Sequence, residues 1–162
     1  MTEPIKQNTS ARIAIGSLVV AASTLVGIAS NEGYVGHAYK DSGGVYTMGY
    51  GETNGVKASD TTTPVRALVQ LNKSVNYYAQ GVRDCVPVPL YQYEFDAYVD
   101  LAYNVGVTAF CHSPIAVKAN AQDYDGACKA MLSWYVHDRD GHFVPGLVQR
   151  RKKEYATCKG QS

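Results

Sequence analysis

Residues 32–53 read EGYVGHAYKDSGGVYTMGYGET, and the rest of the chain takes its meaning from them. Glu32 closes an apolar, helix-like run. Asp41 follows nine positions later in a Lys-Asp-Ser-Gly-Gly turn, and Thr47 lies six positions beyond it, in an alternating, strand-like segment. Two carboxylates held on different local structures meet different environments, so one can stay protonated while the other stays ionised. Cleavage of a glycosidic bond needs such a pair. One group is an acid for the leaving oxygen; the other is a carboxylate opposite it that acts on the sugar or on a water. A Glu and an Asp at this spacing are, taken alone, more often a solvated helix end and a solvated turn. The flanking residues change that balance.

Glu32-Gly33, Tyr39-Lys40-Asp41 and residues 44–51 (GVYTMGYG) resemble the signature of the phage-type lysozymes, the endolysin muramidases. In that family the Glu, Asp and Thr form the catalytic set, so the resemblance implies catalytic roles for Glu32, Asp41 and Thr47. Residues 92–106 (QYEFDAYVDLAYNVG) look like the family's core helix. Trp134 and residues 146–151 (GLVQRR) look like its C-terminal motif. The matches run in order over about residues 25–160. They further imply substrate contacts from Tyr50, Asn104 and Arg150. Glu52 stands where the family usually has His after Gly-Tyr-Gly, and Tyr46 replaces a common Trp. Both departures bear on the cleft and leave the catalytic set intact.

A chain of 162 residues with 46% apolar content suits one compact domain. A net charge of +1 gives no basis for nucleic-acid binding. The one basic cluster, Arg150-Arg151-Lys152-Lys153, reads mainly as a solvated helix face, with a structural or cleft role reserved for Arg150. The thirteen tyrosines read mostly as half-buried packing residues, some able to stack on sugar rings. The four histidines are scattered and read as solvated or structural. No metal site and no cofactor is expected, and the chain reads as a monomer. Cys85, Cys111, Cys128 and Cys158 form no CxxC pair and suit no zinc site. An even number in a small protein predicts two disulfides and an oxidising compartment. Three connectivities are possible. Cys85 and Cys111 flank one predicted helix and Cys128 and Cys158 fall in two later ones, which favours 85–111 and 128–158.

Residues 13–31 (IAIGSLVVAASTLVGIASN) carry no charge, and only eight of the nineteen are large aliphatics. As a helix they would rise about 28 Å, close to the ~30 Å hydrocarbon thickness of a bilayer. Lys6 and Arg12 precede them, which places the N-terminus in the cytoplasm. The segment is similar to the signal-anchor-release element of one endolysin subclass. Signal-peptide cleavage after Ala29 is a rival reading, but it would strip the helix expected to hold Glu32. Three parts follow: residues 1–12 as a cytoplasmic tail, 13–31 as a weak anchor that becomes the N-terminal helix, and 32–162 as the catalytic domain. The expected location is the host inner membrane, followed by release to the periplasm.

Further along, residues 45–50 have strand character and Asn54-Gly55 is a hairpin-turn signal. Thr63-Pro64 predicts a helix start running to about Arg83. Residues 92–106 form the next helix, Ser113-Pro114 opens a short one, and Asp123 or Asp125 caps another reaching Trp134. Residues 146–159 make the last. The fold class is therefore α+β and lysozyme-like: an N-terminal helix, a small antiparallel sheet, and a mostly helical C-terminal lobe, with a saccharide cleft between sheet and helices. The resemblance implies hydrolysis of the β-1,4 bond between N-acetylmuramic acid and N-acetylglucosamine of peptidoglycan, ending in host cell lysis. A lytic transglycosylase and a catalytically dead, membrane-tethered wall-binding protein are the alternatives.

Overall fold

The computed structural model describes residues 11–41, 43–137 and 140–161. Its backbone of support is helix α2 (Pro64–Cys85), whose start is fixed by sequence: the Thr63 hydroxyl accepts from the Arg66 amide, and Pro64 occupies the first turn. One face of α2, formed by Ala67, Leu71, Val75, Ala79 and Val82, is buried. It packs on α3 (Gln92–Val105), which is buried along most of its length and runs through the centre of the helical lobe. Short helices α4 (Val107–Cys111), α5 (Pro114–Asn120) and α6 (Tyr124–Met131) wrap this centre, and α7 (Pro145–Cys158) closes it against α3. Ser113 caps α5 and Asp123 caps α6, each through its side-chain oxygen. Helix α6 stops at Met131, short of the expected Trp134, and α4 is an added turn that the sequence pattern did not reveal.

Disulfides join Cys85 to Cys111 and Cys128 to Cys158, with Cα separations of 5.5 and 5.7 Å. The first ties the end of α2 to α4, and the second ties α6 to the end of α7. Each closes a loop of the unfolded chain, a restriction worth about 2–4 kcal/mol.

The sheet has two antiparallel strands, β1 (Val35–Lys40) and β2 (Tyr46–Gly49), in the register Val35↔Gly49, Tyr39↔Thr47 and Lys40↔Tyr46 with a bulge between the first two pairs. Their connecting turn is residues 41–45, where the Gly44 amide donates to the Asp41 carbonyl and Gly44 adopts φ +77°. The Asn54-Gly55 pair does form a turn, but it joins no two strands of this sheet. Instead it closes a loop whose Asn54 amide is held by the Glu52 carboxylate.

The uncharged N-terminal segment is helical only in its second half, α1 (Ala22–Glu32), after a single 3-10 turn at Ile15–Ser17. Distant side chains explain the break. Arg83 donates to the Leu18 carbonyl at 2.7 Å and Gln92 to the Val19 carbonyl at 2.7 Å, while the Ala21 amide donates to Asp96 at 3.0 Å. Backbone groups that a continuous helix would pair internally are thus taken by α2 and α3. Ahead of the segment, Arg12 forms a two-point ion pair with buried Glu94 and lies over the rings of Tyr91 and Tyr124. The remainder of the expected cytoplasmic tail, residues 1–10, lies outside the described residues. Among these, no helix is long and apolar enough to cross a membrane.

Candidate active site

Glu32 is the last residue of α1. Gly33 ends the helix with φ +73°, a left-handed conformation that L side chains rarely adopt, and its amide donates to the Ala29 carbonyl. This sharp exit leaves the Glu32 side chain at the helix end, facing the loop after β2. There Gly51, at φ +81°, brings bare backbone against the carboxylate: a Cβ at Gly51 would sit 3.2 Å from Glu32 Oε2. The other oxygen, Oε1, accepts from Arg150 Nη1 at 3.0 Å.

Arg150 is the hub of a charged cluster. It also donates from Nη2 to Asp100 at 2.8 Å and from Nε to Glu154 at 3.2 Å. Arg151, fully buried, donates to Glu154 and to the Asn104 side-chain oxygen. Burial pushes the Glu154 carboxyl up to about 7, and the Asp100 charge adds to that rise against the pull of the two arginines. Helix α3 therefore presents Asp100 and Asn104, one turn apart, to two successive arginines of α7. The reading of the basic cluster as a mostly solvated face is corrected here. Arg150 is nearly buried and Arg151 completely so, while Lys152 and Lys153 alone face solvent. The spacing of Asp96, Asp100 and Asn104 by four on an otherwise apolar helix is the sequence signal that marks this polar seam.

Asp41 and Thr47 are organised by the β1–β2 turn. Asp41 Oδ1 accepts from the amides of Gly43 and Val45, both at 2.9 Å, and the Thr47 hydroxyl donates to the Val45 carbonyl at 3.2 Å. Val45 thus links the two through its backbone. Asp41 Oδ2 receives no hydrogen bond from a described residue. Thr47 is only 5% exposed. No hydrogen bond joins Glu32 to Asp41 or Thr47; Glu32 lies near the Val35↔Gly49 end of the hairpin and the other two toward its turn.

Tyr50 packs against the helical core and against Tyr34, with ring centroids 5.6 Å apart, and its carbonyl accepts from the Tyr103 hydroxyl at 3.1 Å. That bond fixes the loop carrying Gly51 to the central helix. Glu52 strengthens the fixation by accepting from Gln70 and Ser74 of α2 at 2.9 and 3.0 Å. Burial raises the Glu52 carboxyl, but the bonds from Gln70, Asn54 and Ser74 outweigh it, so the group is held below its ordinary value. Gly51 falls in the quoted Gly-Tyr-Gly motif, whereas Tyr103, Asp100 and Glu154 carry no individual signal in the sequence. Nothing in Asp100 or Glu154 alone distinguishes them from surface carboxylates until α3 and α7 are packed together.

A helix-borne Glu, an Asp and a Thr on a small hairpin, and a helical lobe beneath them define a lysozyme-type architecture. The comparisons agree. Residues 29–154 match the Phage lysozyme family model. The endolysin of Acyrthosiphon pisum secondary endosymbiont phage 1 is 34% identical over 134 residues, covering 82% of this chain and 92% of that one. The SAR-endolysin of Pseudomonas phage phiKMV is 34% identical over 140 residues, covering 85% and 86%. Among solved structures, an endolysin from Escherichia coli O157:H7 phage FAHEc1 superposes with a TM-score of 0.79 at 32% identity, covering 88% of this chain and 94% of that one. The chain belongs to the phage lysozyme family and is a peptidoglycan-lysing muramidase.

Proposed function

We propose that the enzyme hydrolyses the β-1,4 bond between N-acetylmuramic acid and N-acetylglucosamine, acting as a monomer with every catalytic group on one chain. Glu32 protonates the leaving oxygen. Asp41, through the oxygen that takes no hydrogen bond from a described residue, stabilises the positive charge developing on the sugar or helps activate the incoming water. Thr47 positions that water. Tyr50, Asn104 and Arg150 border the site; Arg150 acts through Glu32, whose carboxylate it holds. The observation carrying this reading is the division of labour between the carboxylates: Glu32 is clamped at a helix end by Arg150, and Asp41 accepts from two turn amides through one oxygen. Mass spectrometry of products from purified peptidoglycan tests it. Reducing-end muramic sugars are expected; anhydro-muramic ends would instead mean transglycosylation, and no released fragment would mean a binding protein.

We also infer that residues 13–31 anchor the newly made chain in the inner membrane, with residues 1–12 in the cytoplasm, before release to the periplasm. Relatives bearing the name SAR-endolysin support this. So does the segment's surface. Only Leu18 and Ile28 are fully buried, while Ile13, Val19 and Val26 are 47%, 70% and 60% exposed. Those side chains would gain from lipid, whereas the eleven small or polar residues of the segment would not, so the two states lie close in free energy. Membrane depolarisation is then enough to tip the balance. Inserted, the segment withholds Glu32 from the cleft; released, it folds as α1 and delivers it. The two disulfides agree with an oxidising destination. Fractionation of induced cells tests the proposal: the chain should pellet with membranes early and become soluble at lysis, with residues 13–31 still attached.

A further inference from the structure

The core-facing residues of α2 account for one side of that helix. Beside that buried face, Gln70, Lys73, Ser74, Tyr77 and Tyr78 of α2 line an open cavity of about 390 Å³. The cavity begins at Gly51 and Tyr103, which border Glu32, and runs outward to Tyr77. Three aromatic rings pave it in succession. Tyr103 and Tyr78 meet edge-on with centroids 5.0 Å apart, and Tyr78 and Tyr77 meet edge-on at 5.4 Å. The ring nearest Glu32 is fixed by its bond to the Tyr50 carbonyl, the middle one is packed on the core, and the outermost is 69% exposed.

Tyr77, largely exposed at the mouth of the trough, adds little to the packing of the core. Its apolar face suits the CH-rich face of a pyranose ring, while its hydroxyl stays wet. Lys73, exposed on the rim, forms no ion pair with any described residue. Gln70 and Ser74 are already committed to Glu52, so the rim groups left for a ligand include Lys73 and the side chains of Thr53 and Asn54.

We propose that this trough is a distal saccharide subsite, in which Tyr77 and Tyr78 stack sugars lying beyond the cleavage point and Lys73 pairs with a carboxylate of the lactyl-peptide borne by N-acetylmuramic acid. The proposal rests on Glu32 marking the cleavage point. Its consequence is a preference for long glycan strands over short ones, because only a long strand fills both the catalytic cleft and the trough. Energy of binding from such remote sugars can be used at the reacting bond.

The test compares kcat/KM on purified peptidoglycan octasaccharides and tetrasaccharides carrying stem peptides. The wild-type ratio of long to short is expected to be about tenfold, in line with one or two stacking contacts. Tyr77→Ala should bring the ratio close to one, whereas Tyr77→Phe, which keeps the ring, should preserve it. Lys73→Gln should lower the ratio and remove its dependence on salt. A Tyr77→Ala variant that keeps the wild-type ratio, or that loses activity equally on both substrates, would overturn the subsite. Wild-type enzyme that cleaves both lengths at one rate would overturn it too, leaving the muramidase reading standing. Only failure to cleave either would bring down both.

Discussion

Helices α1 and α3 are similar in length, 11 and 14 residues, and opposite in attachment. Eight residues of α3 are buried, among them Phe95, Tyr98, Val99 and Leu101; in α1 only Ile28 is. Between α1, α3 and α7 lies a further open cavity of about 440 Å³, bordered by Ser23, Gly27 and Ser30 of α1 and by Asp96 and Asp100 of α3. The helix that carries Glu32, the proposed acid, is thus held by far fewer buried side chains than α3. What α1 lacks in packing is supplied at its ends, by Asp96 at the first turn and by Arg150 at Glu32. Stability and activity should therefore be separable: substitutions in α3 unfold the protein, and substitutions in α1 alter what it does while it remains folded.

The largest effect should come from making α1 prefer lipid. Gly16, Ser17, Ser23 and Gly27 are all exposed, and a Cβ at either glycine meets nothing within 4 Å. Changing all four to Leu adds apolar surface that the membrane can bury. The quadruple variant should stay in membranes and fail to lyse cells; lysis on the normal schedule would exclude membrane release as the controlling step.

Next comes the clamp. Arg150→Met leaves buried Glu154 and neighbouring Asp100 short of a cation, which costs about 3–5 kcal/mol, and frees Glu32 as well. Denaturant unfolding and muralytic activity should both fall. A variant that loses activity with no loss of stability would show that Arg150 serves substrate and not the seam.

The comparison itself is sharpened by a matched pair. Leu101→Ala in α3 should destabilise by about 2–5 kcal/mol, because the side chain is fully buried. Val26→Ala in α1 should stay within about 0.5 kcal/mol, its side chain being mostly in solvent. Equal losses would mean that α1 is as integral as α3.

The smallest effect concerns acid. Glu52 is held below its ordinary value of 4.5 in the folded protein, so the stability it contributes is present above that value and is lost as pH falls through the depressed one. Glu52→Gln should flatten this part of the acid limb in melting temperature against pH. An unchanged acid limb would mean that the bonds from Gln70 and Ser74 do not favour the charged form.

Much of this organisation is legible in sequence where the signal is local. Thr63-Pro64 and Ser113-Pro114 announce two helices because capping needs only adjacent residues, and the apolar spacing of Phe95, Val99 and Ala102 announces the central helix. The favoured cysteine pairing is the one found. What stayed hidden depends on partners far along the chain. The break at Ala21 is made by Arg83, Gln92 and Asp96, between 62 and 75 residues away. Asn54-Gly55 has the stronger hairpin signal, yet Asp41 wins the turn by binding two of its amides. Arg151 looks like a surface charge until α7 is set against Asn104 and Glu154.

The most direct measurement is Glu32→Gln, with muralytic turnover and thermal unfolding recorded on the same preparation. An amide keeps the size of the side chain and can still accept from Arg150, but it cannot supply the proton. Turnover should drop by at least about 100-fold while the melting temperature stays near wild type. Wild-type turnover in a folded Glu32→Gln enzyme would contradict the assignment of Glu32 as the acid, and with it the account of α1 as the helix that carries function.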